Sequence, residues 1–343
     1  MKNKRHKLTI HELAADLALS PGTVSKILND KGSVTEATRK RVLDRAKVLG
    51  YVASHSARIL KAEHTWTIGV VFSDIAAFGL EHPFFGSIIQ AFKNYIEDQG
   101  YEMVFIPKKI GEQEQTYLQW ALNKSVDGVL LLTGDINAID IQELIRADIP
   151  CVSVDMVDKG LATVISDDHQ GIELIFKHFI QLGFQRIYAF SGSIFSRAYQ
   201  QRTEAFEALT LQLKTDRPKE SYFTTDKYGV KHYYEQALLW IQSWQHKPQA
   251  IIAFSDDIAM GLIMALKELG YRVPEDISVS GYDDIQFASL FSPPLTTIRQ
   301  DKKRIAETAA IKLLNMIENQ NEPKGLTTVP VQLIVRHSTK RIK

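Results

Sequence analysis

The 343-residue sequence has a single cysteine, Cys151. No internal disulfide can form, and a lone thiol in the apolar run IPCVSV reads as a small buried residue suited to a reducing compartment. No apolar run approaches the roughly 18 residues that a membrane-spanning helix needs, so no membrane partner is expected. The basic N-terminal stretch lacks an apolar segment of signal type, so no secretory leader is expected and the expected location is the cytoplasm. Low-complexity tracts are missing, as are GxSxG, HExxH, CxxC and Walker patterns, and the ten histidines offer no metal-spaced pair. The adjacent pairs Asp256-Asp257 and Asp283-Asp284 make poor catalytic acids. Neighbouring side chains diverge, whereas two working carboxylates need a set separation across a substrate. No catalytic residue, metal or cofactor is therefore expected.

Charge is nearly balanced overall, at +1, but it is unevenly placed. The first 62 residues carry 13 Lys and Arg against 5 Asp and Glu, and the remainder carries 28 against 35. A basic head on an acidic body is the asymmetry of a nucleic-acid-binding module fused to something else.

Within the head, TIHELAADLALSPGTVSKILN (9–29) reads as two short helices and a tight turn. Thr9 and Glu12 have capping-box spacing, and Ile10, Leu13, Ala14 and Leu17 share one helical face. The turn falls near Ala18-Leu19. Ser20 caps the second helix, with Pro21 at its first position, where a missing N–H costs nothing. Val24, Ile27 and Leu28 form its buried face. Thr23, Ser25, Lys26 and Asn29 are left to point outward. This suits a helix-turn-helix whose second helix enters the DNA major groove, although a plain helical hairpin has the same pattern. Thr35 caps a third helix ending at Gly50, with Ala37, Val42, Leu43, Ala46 and Leu49 as its apolar positions. Arg39, Lys40 and Arg41 lie near its start, in reach of phosphates.

From Trp66 onward, β-branched apolar runs alternate with helical stretches. Repeated βα units predict parallel sheets with helices on both faces, and two series separated near residue 160 suggest two lobes. Ligands of open α/β sheets bind beyond the carboxyl ends of the strands. The polar residues ending these strands are Ser73, Asp74, Thr133, Asp135, Asp155, Ser191, Ser255, Asp256, Tyr282 and Asp283.

The segments TVSKILN, VTEATRKRV and LGY resemble the headpiece of the LacI/GalR family of bacterial transcription regulators, at family spacing. The body continues the resemblance in VDGVLLL, IPCVSVD, VISDDHQG, LGFQRIYAFSG, FSDDIAMG, VPEDISVSGYDD and PPLTTIRQ. It implies an α/β fold: a two-lobed periplasmic-binding-protein-like core of doubly wound parallel sheets, preceded by a small all-α helix-turn-helix domain. The implied division is a headpiece over 1–50 and a hinge helix or linker over 51–64. A first lobe takes 65–160 plus 293–325, and a second lobe takes 161–292 plus 326–343.

By the same resemblance, residues 53–61 match the hinge helix. Ala57 and Arg58 approach the minor groove, and Leu60 pairs with its dimer mate as an apolar wedge. The effector contacts are Phe84 or Phe85, Asp168, Arg202, Asp256, Asp283 and Gln300, with Phe223 as a second aromatic. Arg and convergent carboxylates suit vicinal hydroxyls, and an aromatic ring suits a sugar face. Each has a plainer reading: Phe84-Phe85 as core, Arg202 as an ion-pair residue and Asp283 as a turn cap.

The chain departs from the family at Ala18, where Gly is usual, and at Pro21 and Gly22, which lack side-chain donors where bases are normally read. Lys26 stands where Arg is common. The implied partners are double-stranded operator DNA, a second copy of the chain and a small effector. A sugar inducer is expected first, and a purine-like or protein corepressor is the alternative. A transport-type binding protein fits the basic head poorly.

Overall fold

The computed structural model describes residues 8–28, 34–51, 64–72, 79–213, 215, 219–318 and 322–341. It forms two compact units, Met1–Thr65 and Trp66–Lys343.

Among the described residues the first unit holds three helices, α1 (Ile10–Asp16), α2 (Pro21–Leu28) and α3 (Glu36–Val48). Leu13, Ala14, Leu17, Val24, Ile27, Val42 and Ala46 pack into one core. Leu43 is 46% exposed and Ala37 also faces solvent, so α3 buries a narrower stripe than its apolar pattern suggests. The α1 end closes as a Schellman turn. Leu19 N–H donates to Ala14 C=O at 2.9 Å and Ala18 N–H to Ala15 C=O at 3.1 Å. That closure puts Ala18 at φ 51°, the left-handed conformation that explains the family's usual glycine.

The second unit is built on two parallel sheets. The larger has strand order β13-β7-β6-β5-β1-β2, from β1 (Thr67–Val71), β2 (Glu102–Phe105), β5 (Gly128–Leu131), β6 (Cys151–Val154), β7 (Ala162–Ser166) and β13 (Gly325–Val329). The smaller has order β11-β10-β8-β9, from β8 (Ile187–Ser191), β9 (Tyr222–Thr224), β10 (Ala250–Ala253) and β11 (Ser278–Ser280). Every residue of β1, β5, β6, β8 and β10 is buried, as in strands covered on both faces.

On the larger sheet, α4 (Pro83–Asp98) packs with α11 (Lys302–Ile317) on one face. The other face holds α5 (Tyr117–Lys124) and α6 (Ile139–Arg146). On the smaller sheet, α9 (Val230–Gln242) pairs with α10 (Asp256–Glu268), and α7 (Asp168–Gln181) pairs with α8 (Arg197–Gln212). A hairpin, β3 (Lys109–Ile110) with β4 (Gln113–Glu114), follows β2 where only a connection was expected.

The chain passes between the lobes three times: from β7 to α7, from β12 (Thr297–Gln300) to α11, and from β13 to β14 (Val331–Ile334). The expected lobe boundaries therefore shift. Residues 161–166 and 326–329 belong to the larger sheet, because β7 pairs with β6 and β13 pairs with β7. β12 is bridged to the second lobe through Ser280–Thr296 and Asp283–Arg299. Apolar periodicity marks a strand but not which sheet it joins.

Candidate functional site

In the head, three of the candidate DNA contacts are helix caps. Thr9 accepts from Glu12 N–H at 3.3 Å while Glu12 accepts from Thr9 N–H at 2.7 Å. Ser20 Oγ accepts from Thr23 N–H at 3.1 Å and shares a hydrogen bond with Thr23 Oγ1. Thr35 Oγ1 accepts from Thr38 N–H at 3.4 Å. Such caps contribute about 1 kcal/mol each. Gly22 and Lys26 are exposed on α2, and Pro21, Thr23 and Ser25 are half-buried beside them. Arg39 is half-buried on α3. Arg41 turns back to donate to Leu17 C=O at 3.2 Å, and Arg45 forms a bidentate pair with Asp16. Those two cations therefore brace α3 on α1. Asn29, Ala57, Arg58 and Leu60 lie outside the described residues, as do Ser73 and Asp74 of the body.

A cleft of about 650 Å³ opens between the two lobes at the strand carboxyl ends. Of the candidate effector contacts, Phe84, Phe85, Asp135, Asp168, Arg202, Asp283 and Gln300 line it. Two do not. Asp256 has no exposed surface, and its carboxylate accepts from Thr297 Oγ1 at 2.6 Å and Ile285 N–H at 2.8 Å, so it ties α10 to β12 and to the loop after β11. Phe223 stacks on Trp240 at 5.6 Å between ring centres and packs into the second-lobe core. Phe85 is 7% exposed and packs chiefly into the first-lobe core, which leaves Phe84 as the more accessible ring of the pair.

Guanidinium–carboxylate pairs dominate the cleft wall. Arg202 donates to Asp168 Oδ1 at 2.8 Å and to Phe254 C=O at 2.5 Å, and lies 3.6 Å above the Tyr282 ring. That ring needs Gly171, since a Cβ there would lie 2.2 Å from the Tyr282 hydroxyl. Arg197, which the sequence did not single out, donates to Asp155 Oδ1 at 2.9 and 3.1 Å and to Asp168 Oδ2 at 3.0 Å. Gln300 donates to Asp283 Oδ1 at 2.5 Å. Asp155 and Asp283 have φ of 89° and 115°, an uncommon conformation for residues with a Cβ and one that concentrates at functional sites.

Burial raises the pKa of Asp155 and pushes Asp283 up to about 6, although Arg197 opposes the first shift and Arg202 and Lys302 the second. Burial also works against the Arg197 cation, but Asp155 and Asp168 outweigh it and hold the pKa above its ordinary value. At the mouth, His82 of the first lobe stacks on Tyr228 of the second, 4.9 Å between ring centres. Burial and the Arg202 charge lower His82 to about 4, so the ring is neutral at pH 7. Tyr228 donates to Asp257, and burial raises both of their pKa values.

Comparison with known proteins fits this geometry. Residues 9–54 match the family described as bacterial regulatory proteins, lacI family, and residues 176–339 match the periplasmic binding protein-like domain. An HTH-type transcriptional repressor PurR from Vibrio vulnificus (strain CMCP6) is 33% identical over 343 aligned residues, covering 97% of this chain and 99% of the relative. The chain belongs to the lacI family of bacterial regulatory proteins. As a lacI-family regulator it is a transcription regulator and not an enzyme. The Lac repressor dimer bound to operator and the anti-inducer ONPF is 25% identical, with a TM-score of 0.85 over 98% of this chain and 100% of that one. A LacI family transcriptional regulator from Enterococcus faecium with bound ribose is 25% identical, with a TM-score of 0.68 over 81% and 100%.

Arg197 and Tyr228 are among the cleft residues that sequence reasoning missed. SRAYQQR offers two arginines, and the one singled out was Arg202; nothing in the local pattern says that Arg197 faces a carboxylate across the cleft. Tyr228 sits in the polar loop DKYG, whose position over the cleft is fixed by β9 and α9 rather than by its own composition.

Proposed function

We propose that this lacI-family regulator is a cytoplasmic repressor that binds a pseudo-palindromic operator as a dimer and responds to an uncharged small effector in the cleft. The observation that carries the reading is the interlobe cleft itself. Phe84 of the first lobe lines it together with the carboxylates and guanidinium groups of Asp155, Asp168, Arg197 and Arg202. An apolar ring face together with fixed, charge-assisted hydrogen-bonding groups suits a sugar, whose ring is apolar on its faces and polar at its edge. The effector contacts proposed are Phe84, Asp135, Asp168, Arg202, Asp283 and Gln300, joined by Arg197 and Tyr228. Effector binding changes the lobe angle, and the lobe angle changes the readiness of two headpieces to sit on DNA. A coupling of about 1–3 kcal/mol is typical for such a switch.

A purine-like effector is the second reading. It is favoured by the 33% identity to a repressor named PurR and by the aromatic character of the second-lobe side of the cleft, where Tyr199, Tyr228 and Tyr233 are among the lining residues.

Selection of bound sequences from random DNA, repeated with D-ribose, cellobiose, hypoxanthine and guanine, tests both. A two-fold symmetric site gained or lost with one ligand supports the proposal and names the ligand class. Binding that is only salt-sensitive and without consensus, under every condition, counts against it.

A further inference from the structure

A second cavity, of about 590 Å³, lies on the first lobe and shares no lining residue with the cleft. Three segments build it: the end of α6 with Gln142, Arg146 and Asp148, the β6–β7 connection with Asp158 and Gly160, and Lys324 at the entry to β13. Strand order explains the meeting. β6, β7 and β13 are parallel neighbours, and Gly325 pairs with Ala162, so β7 and β13 begin side by side. α6 ends just before β6 begins. The notch therefore sits at the amino ends of these strands, whereas the cleft sits at their carboxyl ends.

Its four charged residues are two cations and two carboxylates, yet they do not neutralise one another. Arg146, Asp148 and Lys324 form no ion pair among the described residues. The Asp158 carboxylate accepts from Gly160 N–H at 2.7 Å and from Gln142 Nε2 at 3.4 Å. Asp140, in the first turn of the same helix, is by contrast paired with Lys108 at 2.7 Å. Gln142 stands between the separated charges. Its Oε1 is 3.4 Å from Arg146 Nη2 and its Nε2 is 3.4 Å from Asp158 Oδ2, both long for a hydrogen bond. The amide loosely bridges a gap whose two sides call for an acceptor and a donor.

We propose that this notch is a second small-molecule site, which takes a zwitterionic α-amino acid with its carboxylate on Arg146 and Lys324 and its ammonium on Asp148 and Asp158. A lone anion would meet the two carboxylates, and a lone cation would meet the two basic groups. A zwitterion satisfies both sets, through charge-assisted hydrogen bonds about twice as strong as neutral ones. The two charges of an α-amino acid are separated by little more than the oxygen and nitrogen of the amide that now bridges the gap. The negative end of the α6 dipole also favours the ammonium. The site is independent of the reading of the cleft, but it is joined to it. The connection that carries Asp158 also carries Asp155, the partner of Arg197, and is braced by Thr163 Oγ1 donating to Met156 C=O at 2.9 Å.

Calorimetric titration of the full chain with each common L-α-amino acid at millimolar concentration tests the site, with acetate and methylammonium as single-charge controls. At least one amino acid is expected to bind, and neither control. Asp158→Asn keeps an acceptor for Gly160 N–H but removes the charge, and Lys324→Gln removes a cation. Each should weaken that amino acid by about tenfold or more. Absence of binding by every amino acid overturns the proposal. So does an affinity unchanged in either variant, which would put the amino acid elsewhere on the molecule, and so does acetate or methylammonium binding as tightly as the amino acid.

Discussion

Arg197 of the second lobe and Asp155 of the first hold each other across the cleft, with guanidinium–carboxylate distances of 2.9 and 3.1 Å and a third bond from Arg197 Nε to the Asp155 carbonyl at 2.9 Å. The pair spans two elements that move relative to each other if the lobes open, since Asp155 follows β6 and Arg197 begins α8. It therefore acts as a latch between the lobes, in the cleft proposed above as the effector site.

Breaking the latch has a predictable sign. The side chains are 23% and 18% exposed, between the surface regime, where an ion pair contributes little, and the buried regime, where removing one partner costs 3–5 kcal/mol. Arg197→Ala is expected to destabilise the body by about 1–3 kcal/mol, and Asp155→Asn by less, since Asp168 still holds Arg197. A double-mutant cycle by chemical denaturation should show coupling between the two positions, together with a larger radius of gyration in X-ray scattering for the ligand-free variants. Additive effects and an unchanged radius would remove the latch.

The stacked pair at the mouth and the carboxylate at the floor give opposite pH dependences. His82 is held near 4 against an ordinary value of about 6.5, so protonation favours the unfolded chain, and its contribution is lost as pH falls through that window. Asp283 is held near 6 against about 3.9 for a free carboxyl, so ionisation favours the unfolded chain, and stability falls as pH rises from 4 to 6. The two slopes oppose each other in the unaltered protein. His82→Phe should therefore make the body less stable at pH 6 relative to pH 4 than the unaltered protein is. Asp283→Asn should do the reverse. Changes of the order of 1–3 kcal/mol are expected from shifts of this size, read by denaturant titration at the two pH values. The same sign in both variants contradicts the assignment.

How much of this was legible depends on the kind of signal. The capping box at Thr9 and Glu12, the buried Leu13, Val24 and Ile27, and the alternation of strands and helices are written in local spacing, and the chain adopts them. Asp283 and Asp256 show where local spacing stops. Both follow a strand and both begin an Asp-Asp pair, yet Asp283 faces the cleft while Asp256 is locked beneath it by Thr297 and Ile285. Side-chain direction at a strand end depends on what the next loop packs against, and that is set by residues far away in the sequence. Phe223 fails for the same reason, since its ring is claimed by Trp240. Arg197 is invisible for the converse reason, because its partner Asp155 is 42 residues away, in the other lobe.

The headpiece carries a strain that one substitution removes. Ala18 closes the Schellman turn at φ 51°, where a Cβ costs about 1–2 kcal/mol and glycine costs nothing sterically. Part of that gain is returned as the larger backbone entropy of glycine in the unfolded chain. Ala18→Gly should stabilise the headpiece by about 1 kcal/mol. Calorimetry of the full chain is expected to show the headpiece transition moved up by several degrees, with the body transition unmoved. A lower headpiece transition would mean that the left-handed turn is not the one adopted in solution.

At the head of α2, the chain offers DNA unusually little to read with. Gly22 is exposed and Pro21 half-exposed, and neither carries a side-chain donor or acceptor. Lys26 presents a single ammonium where a guanidinium makes a bidentate fork to guanine. Thr23 and Ser20 spend their hydroxyls partly on each other, at 2.8 Å. Direct readout then falls to few groups, and DNA shape has to supply the rest. Sequences selected from a random pool should show two half-sites, each with weak preference at the bases beneath Pro21 and Gly22. Lys26→Arg should sharpen the preference for guanine at one position per half-site, where each good bidentate contact adds about 1–3 kcal/mol of discrimination. A consensus that is equally sharp at every half-site position in the unaltered protein would mean that α2 does not lie in the groove with its first turn against the bases.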